Sequence, residues 1–217
     1  MTKEDRRSYD EGCIAAHALD LIGDRWALLV VRELLLGPRR FGALRAGMPG
    51  LSANVLTQRL EDLSMAGILR REDLPAPEQV TLYRLTAAGE ALWPVIRELC
   101  RWGATMPGHD ARLLISPAAL MLSMRAMCDR DRAGPHRAVF RLGREAFTVE
   151  TAPGAFRVTR GADPAAGLQF EGGTNAMARA VYAPQPLADS ARGLIAFAGD
   201  PAEGQAFVDL FALRRDS

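Results

Sequence analysis

A Pro49-Gly50 turn is followed by Ser52 and then by leucines at positions 56, 60 and 63, and no other stretch narrows the possible folds as far. The turn stops one helix, and Ser52 can cap the next by accepting from its first free N–H groups. The three leucines fall at helical spacing and belong inward, which leaves Asn54 and Gln58 about opposite them at 100° per residue. Upstream, AHALDLIGDRWALLVVRELLLG carries two helical patterns, and Phe41 to Ala46 a short third. Downstream of Gly67, ILRRED and QVTLYRLT read as strands around a stiff Pro75-Ala76-Pro77 loop. This order is a helix-turn-helix followed by a protruding hairpin, a wing.

The residue types on the outer face point to duplex DNA. Asn54 and Gln58 each offer a donor and an acceptor together, which matches the N6/N7 edge of adenine in the major groove. Ser52 starts the helix beside them, and Thr57 can meet a phosphate or a thymine methyl. Arg70, Arg71 and Arg84 sit on or beside the wing, and Arg39 and Arg40 precede the supporting helix. Five guanidiniums can thus hold phosphates on either side of the reading helix. The plainer alternative is a helical core with an ordinary solvated hairpin.

Composition sets the outer limits. A chain of 217 residues suits one large domain or two modest ones. Its net charge of +1 averages over surfaces that need not meet DNA, so the local patch counts for more. Lys3 alone among the basic residues is a lysine, so the positions of the arginines carry information and their number does not. No apolar run approaches the roughly 20 residues a membrane span needs, and a cytoplasmic protein is expected. Cys13, Cys100 and Cys128 are scattered and odd in number, and His17, His109 and His136 show no ligand spacing. No metal or cofactor is expected.

From Ala87 to about Thr105 a single helix is expected, with Leu92, Val95, Ile96, Leu99 and Trp102 making a broad apolar stripe. With Ile14, Ala18, Leu19 and Ile22 of the first helix it forms a natural surface for two-fold dimerisation, which suits a palindromic operator. Burial against the C-terminal half is the competing use. Cys13 stands at a helix start near Arg6 and Arg7, where a thiol pKa is lowered, so it is a redox candidate. The competing reading is a small buried hydrophobe.

The succession CIAAHALDLIGDRWALLVVRELLLGPRRFGALRAGMPGLSANVLTQRLEDLSMAGILRRE, then VTLYRLTAAGEAL and LCRWG, resembles the HxlR family of bacterial winged helix-turn-helix regulators, relatives of the MarR group. The likeness covers about residues 13 to 103. It implies a homodimeric transcriptional repressor or activator. In some members a cysteine just before the first helix senses oxidants or electrophiles, and Cys13 stands there. Ile14 departs from the pattern, in which a proline commonly follows that cysteine.

Past Met106-Pro107-Gly108 the texture changes, so the expected domains are 1–106 and 107–217. Residues 112–130 read as a Met-rich helix, RAVFRL, EAFTVET, AFRVTR and GLQFEG as strands, NAMARAVYA and PLADSAR as short helices, GLIAFAG as a fifth strand and PAEGQAFVDLFALRR as a closing helix. The whole is α+β, with a five-stranded sheet in the C-terminal half. From FRLGREAFTVET, AFAGDPAEGQAFVDLF and the order of elements, residues 112–215 resemble the sterol-carrier-protein-like fold, which implies a site for a hydrophobic small molecule. Phe140, Phe147, Phe156 and Phe170 on the strands, with Met121, Met124 and Met127 on the helix, are the candidate lining residues, and filling the core is their alternative use.

No nucleophile elbow, phosphate loop or dinucleotide fingerprint is present, so an enzyme is not expected. The reading is a homodimeric, ligand-responsive regulator that binds double-stranded DNA and no membrane. The alternatives are an apolar-ligand carrier or sensor whose winged module only dimerises, and a C-terminal half that binds a protein partner.

Overall fold

The computed structural model describes residues 8–182, 186–191, 193 and 195–211. They form two compact units, divided between Trp93 and Pro94. The division falls ahead of the Pro107-Gly108 break at which the sequence suggests a boundary. Among the described residues no helix is long and apolar enough to cross a membrane.

The first unit runs α1 (Ile14–Ile22), α2 (Ala27–Leu34), α3 (Phe41–Gly47), α4 (Ala53–Met65), β1 (Leu69–Leu74), β2 (Val80–Leu85) and α5 (Ala87–Glu90). Val30, Val31, Leu34, Leu44, Leu56, Leu60, Leu63, Leu69 and Leu85 are buried and make the core. Ser52 caps α4 as expected, its hydroxyl oxygen accepting from the Val55 N–H. At the other end Gly67 has φ +70°, and the N–H groups of Gly67 and Ile68 donate to the carbonyls of Ser64 and Leu63. This Schellman closure turns the chain directly into the wing. β1 and β2 are antiparallel from Leu69↔Leu85 to Leu74↔Val80.

Two features of this unit do not follow from local pattern. The Arg39 backbone exchanges hydrogen bonds with Tyr83, N to O at 3.0 Å and O from N at 2.8 Å, so the segment before α3 extends the wing sheet at its base. The helix expected over Ala87–Thr105 is interrupted at Ala91–Leu92 and resumes as α6 (Trp93–Thr105). Pro94 explains the break, because it has no N–H for the Glu90 carbonyl and its ring crowds that oxygen.

The second unit continues with α7 (Pro117–Met127), β3 (His136–Leu142), β4 (Glu145–Ala152), β5 (Ala155–Arg160), β6 (Leu168–Gly172), α8 (Thr174–Tyr182), α9 (Leu187–Ala191), β7 (Ile195–Ala198), α10 (Pro201–Val208) and a 3-10 turn, Asp209–Phe211. The sheet order is β5-β4-β3-β6-β7, with β3 and β6 parallel and the other pairs antiparallel. All five expected strands are present. The Met-rich helix is shorter than the expected 112–130, since Ser116 caps it and Pro117 fits only its first turn. The closing helix ends at Val208, and the last part of its expected span, 212–215, lies outside the described residues.

Phe140 stacks on Phe170 with ring centres 4.8 Å apart, and Phe207 packs against both and against Phe211. Tethers also tie helices of this unit together. Arg101 Nε donates to the Ala126 carbonyl at 3.1 Å. The Asn175 side chain on α8 donates to the carbonyl of Leu113 at 2.7 Å and accepts from the Ile115 N–H at 3.4 Å, which holds the link between α6 and α7.

Candidate nucleic-acid interface

Because α4 buries Leu56, Leu60 and Leu63, its opposite side faces solvent. Asn54, Val55, Thr57 and Glu61 are exposed there, and Gln58 is half-buried. The Thr57 hydroxyl donates to the Ala53 carbonyl at 3.1 Å, one turn back. Its proton is thus engaged within the helix, and of its two expected partners the thymine methyl suits it better than a phosphate oxygen. Gln58 Nε2 donates to Asp62 Oδ1 at 3.0 Å. Arg59 reaches the other oxygen of Asp62 at 2.9 Å and also pairs with Asp24, in the turn before α2. Neither Arg59 nor Asp62 stands out in the sequence reading, although spacings of three and four along a helix are the signal that could have found them.

The wing separates the arginines by the two-residue alternation of its strands. Arg70 is paired across the sheet with Arg84, and Arg71 with Tyr83, so Arg71 lies on the face opposite to Arg70 and Arg84. Arg71 donates to Asp73 at 3.1 Å, and the Thr81 hydroxyl donates to the same carboxylate. The Thr81 hydroxyl, and after it Arg71, holds the Asp73 carboxyl below its ordinary pKa. Arg84 is paired with Glu72 at 3.0 Å. Arg70 and Arg40 are exposed and form no ion pair among the described residues, and Arg45 on α3, not singled out from sequence, is in the same situation. Arg39 is half-buried, with its guanidinium 3.5 Å from the Ala43 carbonyl. The five arginines are therefore not equivalent: two stand open, two are paired with acids, and one is turned toward α3.

Cys13 is exposed at the N-cap position of α1. Its side chain makes no cap hydrogen bond of normal geometry, yet the N–H groups of Ala16 and, less, Ala15 lower the thiol pKa. The helix start supplies this bias. Arg6 and Arg7, the other expected source, lie outside the described residues. Burial pushes the Cys128 thiol up to about 11, and Cys100 is half-buried. The candidate ligand residues of the second unit are interior: Met121, Met124, Phe140, Phe147 and Phe170 are fully buried and Phe156 nearly so, while Met127 is half-buried.

A capped helix with a polar outer face, two supporting helices before it and a two-stranded hairpin after it define a winged helix-turn-helix protein. The sequence profile of the HxlR-like helix-turn-helix family matches residues 21–110. An uncharacterized HTH-type transcriptional regulator of Bacillus subtilis, YvaP, is 38% identical over 85 residues, which span 39% of this chain and 79% of YvaP. The HTH-type transcriptional regulator YodB of the same organism is 35% identical over 85 residues, covering 39% and 76%. The structure of reduced YodB aligns with a TM-score of 0.41 and 32% identity, over 46% of this chain and all of that one. This chain belongs to the HxlR-like helix-turn-helix family, and the relatives named here are HTH-type transcriptional regulators.

Proposed function

We propose that this chain is a homodimeric transcriptional regulator that places α4 in the major groove of an operator and lays its wing along the backbone. The outer face of α4 carries the reading: Asn54, Thr57 and Gln58 stand together on a helix whose inner face is anchored by three buried leucines. Asn54 and Gln58 read base edges, Thr57 packs on a thymine methyl, and the Ser52 turn sits at the groove edge. Arg40 and Arg70 hold phosphates directly, while Arg71, Arg84 and Arg39 do so after leaving their present partners. Dimerisation is supported by the apolar surface left open on two helices: Ile14 (86% exposed) and Leu19 (48%) on α1, and Val95, Leu99 and Trp102 (62%) on α6.

Quantitative DNA binding over a range of salt tests this reading. Two open arginines and three recruitable ones give a log–log slope between roughly −2 and −5 per subunit. Binding that is absent, or insensitive to salt, overturns it.

The second unit is the effector module in this reading, taking a hydrophobic small molecule within its sterol-carrier-like arrangement. The gathering of Phe140, Phe147, Phe156 and Phe170 on one face of the five-stranded sheet, with Met121 and Met124 of α7 fully buried, supports it. Native mass spectrometry of the purified protein, looking for a retained apolar compound, tests this part. Such a compound regulates only if it also shifts operator affinity. Cys13 adds a redox input, supported by its exposure and its lowered pKa at the start of α1.

A further inference from the structure

We propose that Asp62 is a positioning residue for base readout, fixing which end of the Gln58 carboxamide faces the groove. The proposal rests on the DNA-binding reading above. The two ends of a glutamine side chain are nearly alike in shape, but one donates and the other accepts, whereas a carboxylate only accepts. With Asp62 Oδ1 3.0 Å from the Gln58 amide, the end turned to it must be the nitrogen. The reverse orientation would set two acceptors against each other. One hydrogen of Nε2 is engaged by Asp62, which leaves the second hydrogen and Oε1 for the base. That donor and acceptor side by side complement N7 and N6 of adenine.

The carboxylate is itself held in place. Arg59 binds its second oxygen at 2.9 Å, and Arg59 is pinned in turn by Asp24. The Arg59 and Asp62 side chains are only 16% and 18% exposed, so water competes weakly for the bond between them, while Asp24, 67% exposed, adds an outer contact to Arg59. The largely buried Arg59–Asp62 pair on α4 therefore orders the Gln58 carboxamide before DNA arrives, which removes an ordering cost from binding. Asn54 has no such support among the described residues and remains free to present either end. Gln58 is thus the strict reader of the pair and Asn54 the adaptable one.

Selection of bound duplexes from a pool with a randomised core tests this, using the full chain as wild type, Gln58→Ala, Asp62→Ala, Asp62→Asn and the Gln58→Ala/Asp62→Ala double variant. Wild type should select adenine at one position in each half-site, and Gln58→Ala should lose that preference by roughly 5- to 150-fold. Asp62→Ala should lose it at the same position while the other positions keep theirs, and the double variant should be no worse there than either single one. Affinity for random duplex should hold or rise, because a negative charge has been removed near phosphates. Asp62→Asn, which keeps the shape, guards against loss of folding. Its side chain can face either end of Gln58, so the preference should broaden rather than move.

Wild-type preference retained in both Asp62 variants overturns the proposal. So do losses that add in the double variant, or a loss spread evenly over all positions, which would mean a displaced helix. A wild type that binds duplex and selects no sequence refutes the base-reading role of α4, and this inference with it. A wild type that does not bind duplex refutes the regulator reading instead.

Discussion

Asp73 restrains Arg71 on the wing, and the Thr81 hydroxyl helps it do so. Replacing Asp73 with Asn should free the guanidinium, strengthen binding to every duplex alike and steepen the salt slope by about one, as read in titrations at several salt concentrations. Because the Asp73 pKa is depressed, its pairing is complete above the ordinary carboxylate value of about 3.9 and is lost only as pH falls through the lower folded value. This group should therefore give no pH dependence of DNA affinity near neutrality. Gln58→Ala should cost about 1 to 3 kcal/mol on the cognate operator and much less on random duplex; equal losses would show that it reads no base. Thiol chemistry separates two cysteines by the same logic. The lowered pKa of Cys13 predicts an iodoacetamide rate that rises at lower pH than for a free thiol, while buried Cys128, at about 11, should stay unlabelled in the folded protein. Mass-spectrometric mapping across a pH series reads both. Ser52 and the α4 leucines were legible in the sequence because caps and helical period are local. The pairing of Arg71 with Asp73 is legible from strand alternation, which puts them on one face two residues apart, whereas that of Arg84 with Glu72 also needs the hairpin register.

Among the elements, α5 shows how closely two pieces can be fitted. A Cβ on Gly89 would lie 2.1 Å from the Ile68 carbonyl at the start of the wing, and neither partner is a side chain that can swing away. Gly89→Ala should thus destabilise the first unit by about 1 to 3 kcal/mol, as overpacking does, and chemical denaturation of the full chain monitored within that unit measures it. The glycine stands in the YRLTAAG block that carries the family resemblance, so part of that block's signature is a demand for space. Element boundaries were less legible than element types. Pro94 and Pro117 each mark a true helix start, and reading them as first-turn prolines would have recovered both α6 and α7. The Arg39–Tyr83 bridge joins segments far apart in the chain, and no local pattern announces such a pairing.

At the scale of the whole chain, the placing of α6 matters most. The family match runs to residue 110, past α6, while the compact units divide just after its first residue. If the open stripes on α1 and α6 carry the dimer, a fragment of residues 1–106 should sediment as a dimer; a folded monomer at micromolar concentration would move the contact into the C-terminal half. The five-strand content of that half was legible from its alternating strands and glycine turns. The parallel pairing of β3 with β6 was not, since it is made across two intervening strands. The Asn175 contact leaves this connector little slack. The stretch between Thr105 and Pro117, left to itself, would let α6 and α7 move independently, but its midpoint is fastened to α8 and Arg101 fastens α6 to the end of α7. A displacement of α8 is then a pull on both helices at once, in the manner of a shortened strap. Asn175→Ala should lengthen that strap, and faster amide exchange over residues 109–115 with the sheet amides unchanged would reveal it.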